Sequence, residues 1–230
     1  MNTYATYMTL CENPYVPYVV KNIRNLCGKK NKKMTNTFTE EYLRKAAADQ
    51  VQGDFTPFNK NDIGKVKRYV KGMLGRLSDN KRINVAADFS AYGSGFASYI
   101  NVKISKKDKS DTVIEKNGNR TIEKKDAILV YISLLAPYWY FGKGDWWDNY
   151  TNGEFSGGSS NFLMPDSINQ YNKPLWETEI EQITRLFEEF RYGLLTKKEV
   201  EQPLWFDVEI EANIGEKPYM VFDCLFHCED

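Results

Sequence analysis

Apolar positions recur at spacings of three and four over the first third of the chain and at a spacing of two after residue 82. In the first stretch, Tyr15, Val19, Ile23 and Leu26 share one face and predict a helix from Pro14 to Leu26. Thr39 is placed to cap a second helix, Glu40 to Ala48, whose first turn carries the acidic residues that a helix dipole favours. A third is drawn by Ile63, Val66, Tyr69, Val70, Met73, Leu74 and Leu77, with Lys60, Lys67, Arg68 and Lys71 on the other side.

Beyond residue 82 the alternation predicts strands at Ile83–Ala87 and Ile100–Ile104. Asn117-Gly118-Asn119 between Thr112–Lys116 and Arg120–Glu123 predicts a hairpin. Ala127 to Leu135 is apolar throughout and rich in β-branched residues, which predicts a central strand covered on both faces. Residues 142–174, rich in Gly, Ser, Asn and Asp, read as a long connection. Trp176, Ile180, Ile183, Leu186, Phe187 and Phe190 then mark a long amphipathic helix near residues 175–192, stopped at Gly193. Two last strands are expected, Trp205–Ile210 and Tyr219–Phe226. Consecutive strands bracketed by helices predict an α+β fold with N-terminal helices and a mainly antiparallel sheet. With no internal repeat or linker, residues 1–230 read as a single domain.

Composition narrows the function classes. The longest apolar run falls short of the ~20 residues a spanning helix needs, and the start lacks the pattern of a secretion signal, so a cytoplasmic protein is expected. Four cysteines in 230 residues predict reduced thiols, not a disulfide framework. Net charge is zero, yet residues 1–125 carry 24 basic against 12 acidic side chains, and residues 126–230 carry 7 against 19. Such asymmetry points to a charged partner, or to two halves that neutralise each other locally.

The candidate chemistry is sparse. His227 is the one histidine, near the end of the chain, which argues against histidine-based catalysis. Cys224, His227 and Cys228 fall short of the four ligands that structural zinc takes, so no metal and no cofactor are expected. Tyr92-Gly93-Ser94-Gly95 lacks a phosphate-loop pattern and reads as a turn. Basic stretches from Lys21 to Lys33 and from Lys60 to Arg82 lie on separate helices without a nucleic-acid motif, so nucleic-acid binding is not expected. Asp145 and Asp148 among Trp139, Trp146, Trp147 and Tyr150 are the company a sugar site keeps. A carbohydrate-binding or glycoside-active protein using the aromatic 138–155 loop is therefore the alternative function. In the acidic half, strand alternation would send Asp207, Glu209 and Glu211 to one face, with Glu188 and Glu189 nearby in sequence. Together they are the expected contact for a basic protein.

Three features taken together resemble the immunity proteins of bacterial toxin systems, especially those of Bacteroidota-type gut bacteria. They are the Lys/Asn/Tyr-rich composition, the run Val130-Tyr131-Ile132-Ser133-Leu134-Leu135-Ala136-Pro137-Tyr138, and the ending Tyr219-Met220-Val221-Phe222-Asp223-Cys224-Leu225-Phe226. The resemblance implies a cytoplasmic, non-enzymatic inhibitor that blocks a cognate toxin by direct binding, and an acidic surface would suit a basic toxin such as a nuclease.

Overall fold

A computed structural model describes residues 38–90, 96–210 and 217–228, all within one compact unit spanning Asn36–Asp230. The helix expected over Pro14–Leu26 and the turn at 92–95 lie outside the described residues.

Helix α1 (Glu40–Ala47) begins where Thr39 was expected to cap it: the Thr39 hydroxyl accepts the Tyr42 N–H at 3.2 Å, and Leu43 and Ala46 face the core. Helix α2 (Ile63–Ser78) buries Val66, Val70, Met73, Leu74 and Leu77, the expected stripe. Strands β1 (Ile83–Asp88), β2 (Tyr99–Lys106), β3 (Thr112–Asn117), β4 (Arg120–Ser133), β5 (Tyr138–Thr151) and β6 (Glu154–Ser160) form a curled sheet in the order β1-β2-β4-β5-β6. All of these pairings are antiparallel. β3 continues along the edge of β4 past the end of β2, because β2 pairs residues 128–133 of β4 and β3 pairs residues 120–125. Helix α3 (Lys173–Glu189) follows, then the two-residue β7 (Gly193–Leu194), parallel to β5, and the short helices α4 (Lys197–Val200) and α5 (Val221–Leu225).

The central strand separates two cores. On one face of β4, Ile128, Val130 and Ile132 pack with the stripes of α2 and α3, including Trp176, Ile183 and Phe187. On the other, Leu129 and Tyr131 pack with Leu43 of α1 and Val221, Cys224 and Leu225 of α5. These helices cover only the proximal half of the sheet. In β4 the burial changes from exposed or half-buried at Arg120–Asp126 to fully buried at Ala127–Ser133.

Three expectations are corrected. Residues 142–174 are not a long connection: β5 runs through Thr151 and turns at Asn152-Gly153 into β6. Gly142 and Gly144 sit inside β5 because chain passes close to it; a Cβ on Gly144 would come within 2.5 Å of Leu129 Cγ. The last two strands are also absent. Residues 205–210 form no strand, bending at Trp205-Phe206, and Tyr219–Phe226 contains α5, with the Asp223 carboxylate accepting the Met220 N–H at 2.7 Å. An almost continuous apolar run carries no period that separates strand from helix. Finally, α3 stops before Gly193. Arg191 takes the positive φ of 60° that ends it, while Gly193 lies against the Tyr138 ring.

Candidate functional site

The distal half of the sheet, left bare by the helices, carries the most unusual surface among the described residues. On the α2/α3 face, Val113 of β3, Lys124 of β4 and Trp147 of β5 stand in one row across three strands. Val113 is 62% exposed and Trp147 37%. They line a shallow hollow of about 370 Å³ whose rim holds Lys124, Asp126 and Asp145. Asp126 and Asp145 stand directly opposite one another on β4 and β5.

The opposite face of the same strands is polar and concave. Trp146 donates its indole N–H to Asp148 Oδ1 at 2.9 Å, and Lys125 Nζ lies 2.5 Å from Asp148 Oδ2. That ammonium also sits 4.0 Å from the centre of the Trp146 ring, with Lys103 of β2 at 5.6 Å. One carboxylate thus orients the indole and holds the cation against it. Because the sheet curls, edge strands β1 and β6 reach the same cleft, of about 420 Å³, lined by Asp88, Asn101, Lys103, Trp146, Asp148 and Phe155 among others. Gly158 on β6 keeps it open: a Cβ there would meet Asp148 Oδ1 at 2.8 Å.

Of the expected ligand residues, therefore, Trp146 and Asp148 share the cleft, while Asp145 and Trp147 point to the other face. They belong to a strand, not to an aromatic loop. The signal that would have found the hairpin is Asn152-Gly153, both with positive φ (53° and 82°), the requirement of a type I′ turn.

The acidic residues are divided. Asp207 and Glu209 are exposed, with Phe206, Val208 and Ile210 turned toward the α1/α5 core, so the expected alternation survives without a strand. Lys217 lies 2.5 Å from Glu209 and 3.7 Å from Asp207, and Arg44 donates to the Asp207 backbone carbonyl at 2.8 Å. Glu211 lies outside the described residues. Glu188 and Glu189 end α3, on the other side of the sheet, where Glu189 pairs with Arg76 at 2.7 Å. The four described residues do not form one platform. Arg76–Glu189, Arg82–Glu179, Lys106–Glu179 and Lys125–Asp148 each join the basic half of the sequence to the acidic half, so part of the asymmetry is neutralised locally.

His227 is buried, its Nε2 2.8 Å from Asp49 Oδ1 and its Nδ1 3.1 Å from the Asp223 carbonyl. Among the described residues no group of three or more His, Cys, Asp and Glu side chains is arranged to hold a metal, and no helix is long and apolar enough to cross a membrane. Set beside known families, characterised proteins and solved structures, the chain matches none of them.

Proposed function

We propose that this protein works by binding another protein, and that the partner is a toxin, as the resemblance to immunity proteins implies. The observation that carries the binding is the row Val113–Lys124–Trp147 on the bare end of the sheet. An exposed Trp beside an exposed β-branched residue, ringed by charges of both signs, has the make-up of an interface centre with a polar rim. The strand ladder holds these side chains in position before any partner arrives, which reduces the ordering cost of binding. A catalytic role finds less support, since the histidine that acid–base chemistry calls on first is enclosed between Asp49 and Asp223.

The experiment is co-expression of the chain with the toxin encoded beside its gene, followed by a measured affinity for the purified pair. Wild type should protect the cell and bind. Trp147→Ala should weaken binding by more than about tenfold, the range of an interface anchor, while the chain stays folded. A chain that neither protects nor binds would refute the toxin as partner. Binding that survives both Trp147→Ala and Val113→Asp would move the interface elsewhere.

A further inference from the structure

Behind the docking row, the concave cleft is the more polar of the two surfaces. Edge strands border it on both sides, it opens broadly to solvent, and its polar groups are a carboxamide, two carboxylates and an ammonium around the Trp146 and Phe155 rings. Its volume of about 420 Å³ lies within the range of small-ligand sites. Two rings border it: Trp146, hydrogen-bonded to Asp148, and Phe155, which stands 63% exposed on β6. The charges balance: Lys103 stands against Asp88, and Asp148 in the lining is already paired with Lys125 beside it. A ligand of either net charge would therefore meet like charge as well as opposite. A wholly apolar ligand would cover the half-buried Lys103 and Asp88 with nothing in exchange.

What remains is a neutral ligand with an apolar face and a rim of hydroxyls. We infer that the cleft between β1 and β6 binds a carbohydrate, one sugar ring lying between the Phe155 ring and the Trp146 edge. Its hydroxyls are shared among Asn101, Lys103 and Asp88. The first two of these side chains are positioned by β2 and the third by β1, so neighbouring hydroxyls meet groups that alternate in donor and acceptor character. Gly158 supplies the opening, since any side chain there would strike Asp148. The site lies on the other face of the sheet from the docking row and does not depend on it.

The test is a glycan array probed with the full chain, then calorimetric titration with the strongest hit and with glucose, galactose, mannose and N-acetylglucosamine. Binding tighter than about 1 mM is expected for at least one of them. Phe155→Ala should weaken it about tenfold, as the loss of one stacked aromatic surface does. Lys103→Met should weaken it further, and Val113→Asp should leave it unchanged. Phe155 is exposed, so its variant folds and the comparison stands. No binding on the array or in any titration overturns the inference, and so does binding indifferent to both Phe155→Ala and Lys103→Met. Loss with Val113→Asp instead would place the sugar on the docking row and overturn it as well.

Discussion

Lys106 Nζ lies 2.7 Å from Glu179 Oε2 with both side chains buried, so an ion pair closes the core between β2 and α3. The ammonium also rests 4.6 Å from the centre of the Trp176 ring, and Arg82 reaches the other Glu179 oxygen at 2.9 Å from the surface. Removing one partner of such a pair strands the other in a medium that solvates it poorly, at about 3–5 kcal/mol. Glu179→Leu alone, which leaves the buried Lys106 ammonium without a carboxylate, should lower the stability read from urea unfolding by that amount. The double variant Lys106→Met/Glu179→Leu should recover most of the loss, because Arg82 can turn to solvent. Equal losses in single and double variants would show that shape, not charge, makes the contact.

Trp139 and Trp147 are two positions of one face of β5 with opposite duties. Trp139 is fully buried, its ring 4.2 Å from that of Phe187, and its indole N–H has no acceptor among the described residues. Trp139→Ala should cost roughly 3–5 kcal/mol. Trp139→Phe should cost much less, because it keeps an aromatic body and discards an unpartnered donor. Trp147→Ala should cost much less than Trp139→Ala, since Trp147 keeps 37% of its surface exposed. A large loss at Trp147 would make it a structural residue and remove the chief support for the docking row.

Much of this architecture is legible in the sequence where the signal is local. Thr39 and Asp62 precede apolar stripes and cap α1 and α2 as their positions require; Asn117-Gly118 turns the first hairpin; the unbroken run 127–133 is covered on both faces. What is not legible depends on neighbours distant in sequence. Gly142 and Gly144 have the composition of a loop, but the space they leave is filled by Leu163, Ser167 and Leu129. The cleft arises from the curl that brings Asp88 and Phe155 to one hollow, and no spacing along the chain encodes that. The acidic residues failed as a set for the same reason, since Glu189 and Asp207 are eighteen positions apart yet on opposite faces.

Cys224 and Cys228 should differ sharply in reactivity. Cys224 is buried in α5, and burial pushes its thiol up to about 12, so thiolate is scarce at neutral pH. Cys228 is half-buried. With Cys11 and Cys27 replaced by Ser, a thiol reagent at about pH 8 should titrate one group in the folded protein and both after unfolding. Fast modification of Cys224 in the native state would mean that α5 opens readily from the core.

Asp223 gives the stability a pH dependence with a definite sign. Burial raises its carboxyl above the ordinary value, while the Met220 N–H and His227 oppose the shift. The folded state therefore holds this proton more tightly than the unfolded chain does. Its contribution favours folding at low pH and is lost as pH rises from the ordinary carboxyl range through the raised value. Asn at this position keeps an acceptor for the Met220 N–H and carries no charge. Asp223→Asn should match wild type in acid and become the more stable of the two as pH rises, with a constant difference above the titration. A difference that shrinks with rising pH would reverse the assignment and make the charged form the stabilising one.

Reversing Asp207 and Glu209 separates the two surfaces offered to a partner. Both carboxylates are exposed, and Lys217 already faces them at 3.7 and 2.5 Å, so the segment presents less free charge than its sequence suggests. Ion pairs of this kind add little to stability, and Phe206, Val208 and Ile210 hold the backbone against the core independently of them. Asp207→Lys/Glu209→Lys should therefore fold like wild type. If docking is centred on Val113 and Trp147, the pair should alter only the association rate, through long-range attraction, and the effect should fade as salt is added. Trp147→Ala should instead speed dissociation at every salt concentration, as loss of a buried anchor does. Rate constants for wild type and both variants at low and physiological salt decide the matter. A charge-reversed chain that dissociates faster at high salt would place Asp207 and Glu209 inside the contact and displace the row Val113–Lys124–Trp147 from its centre.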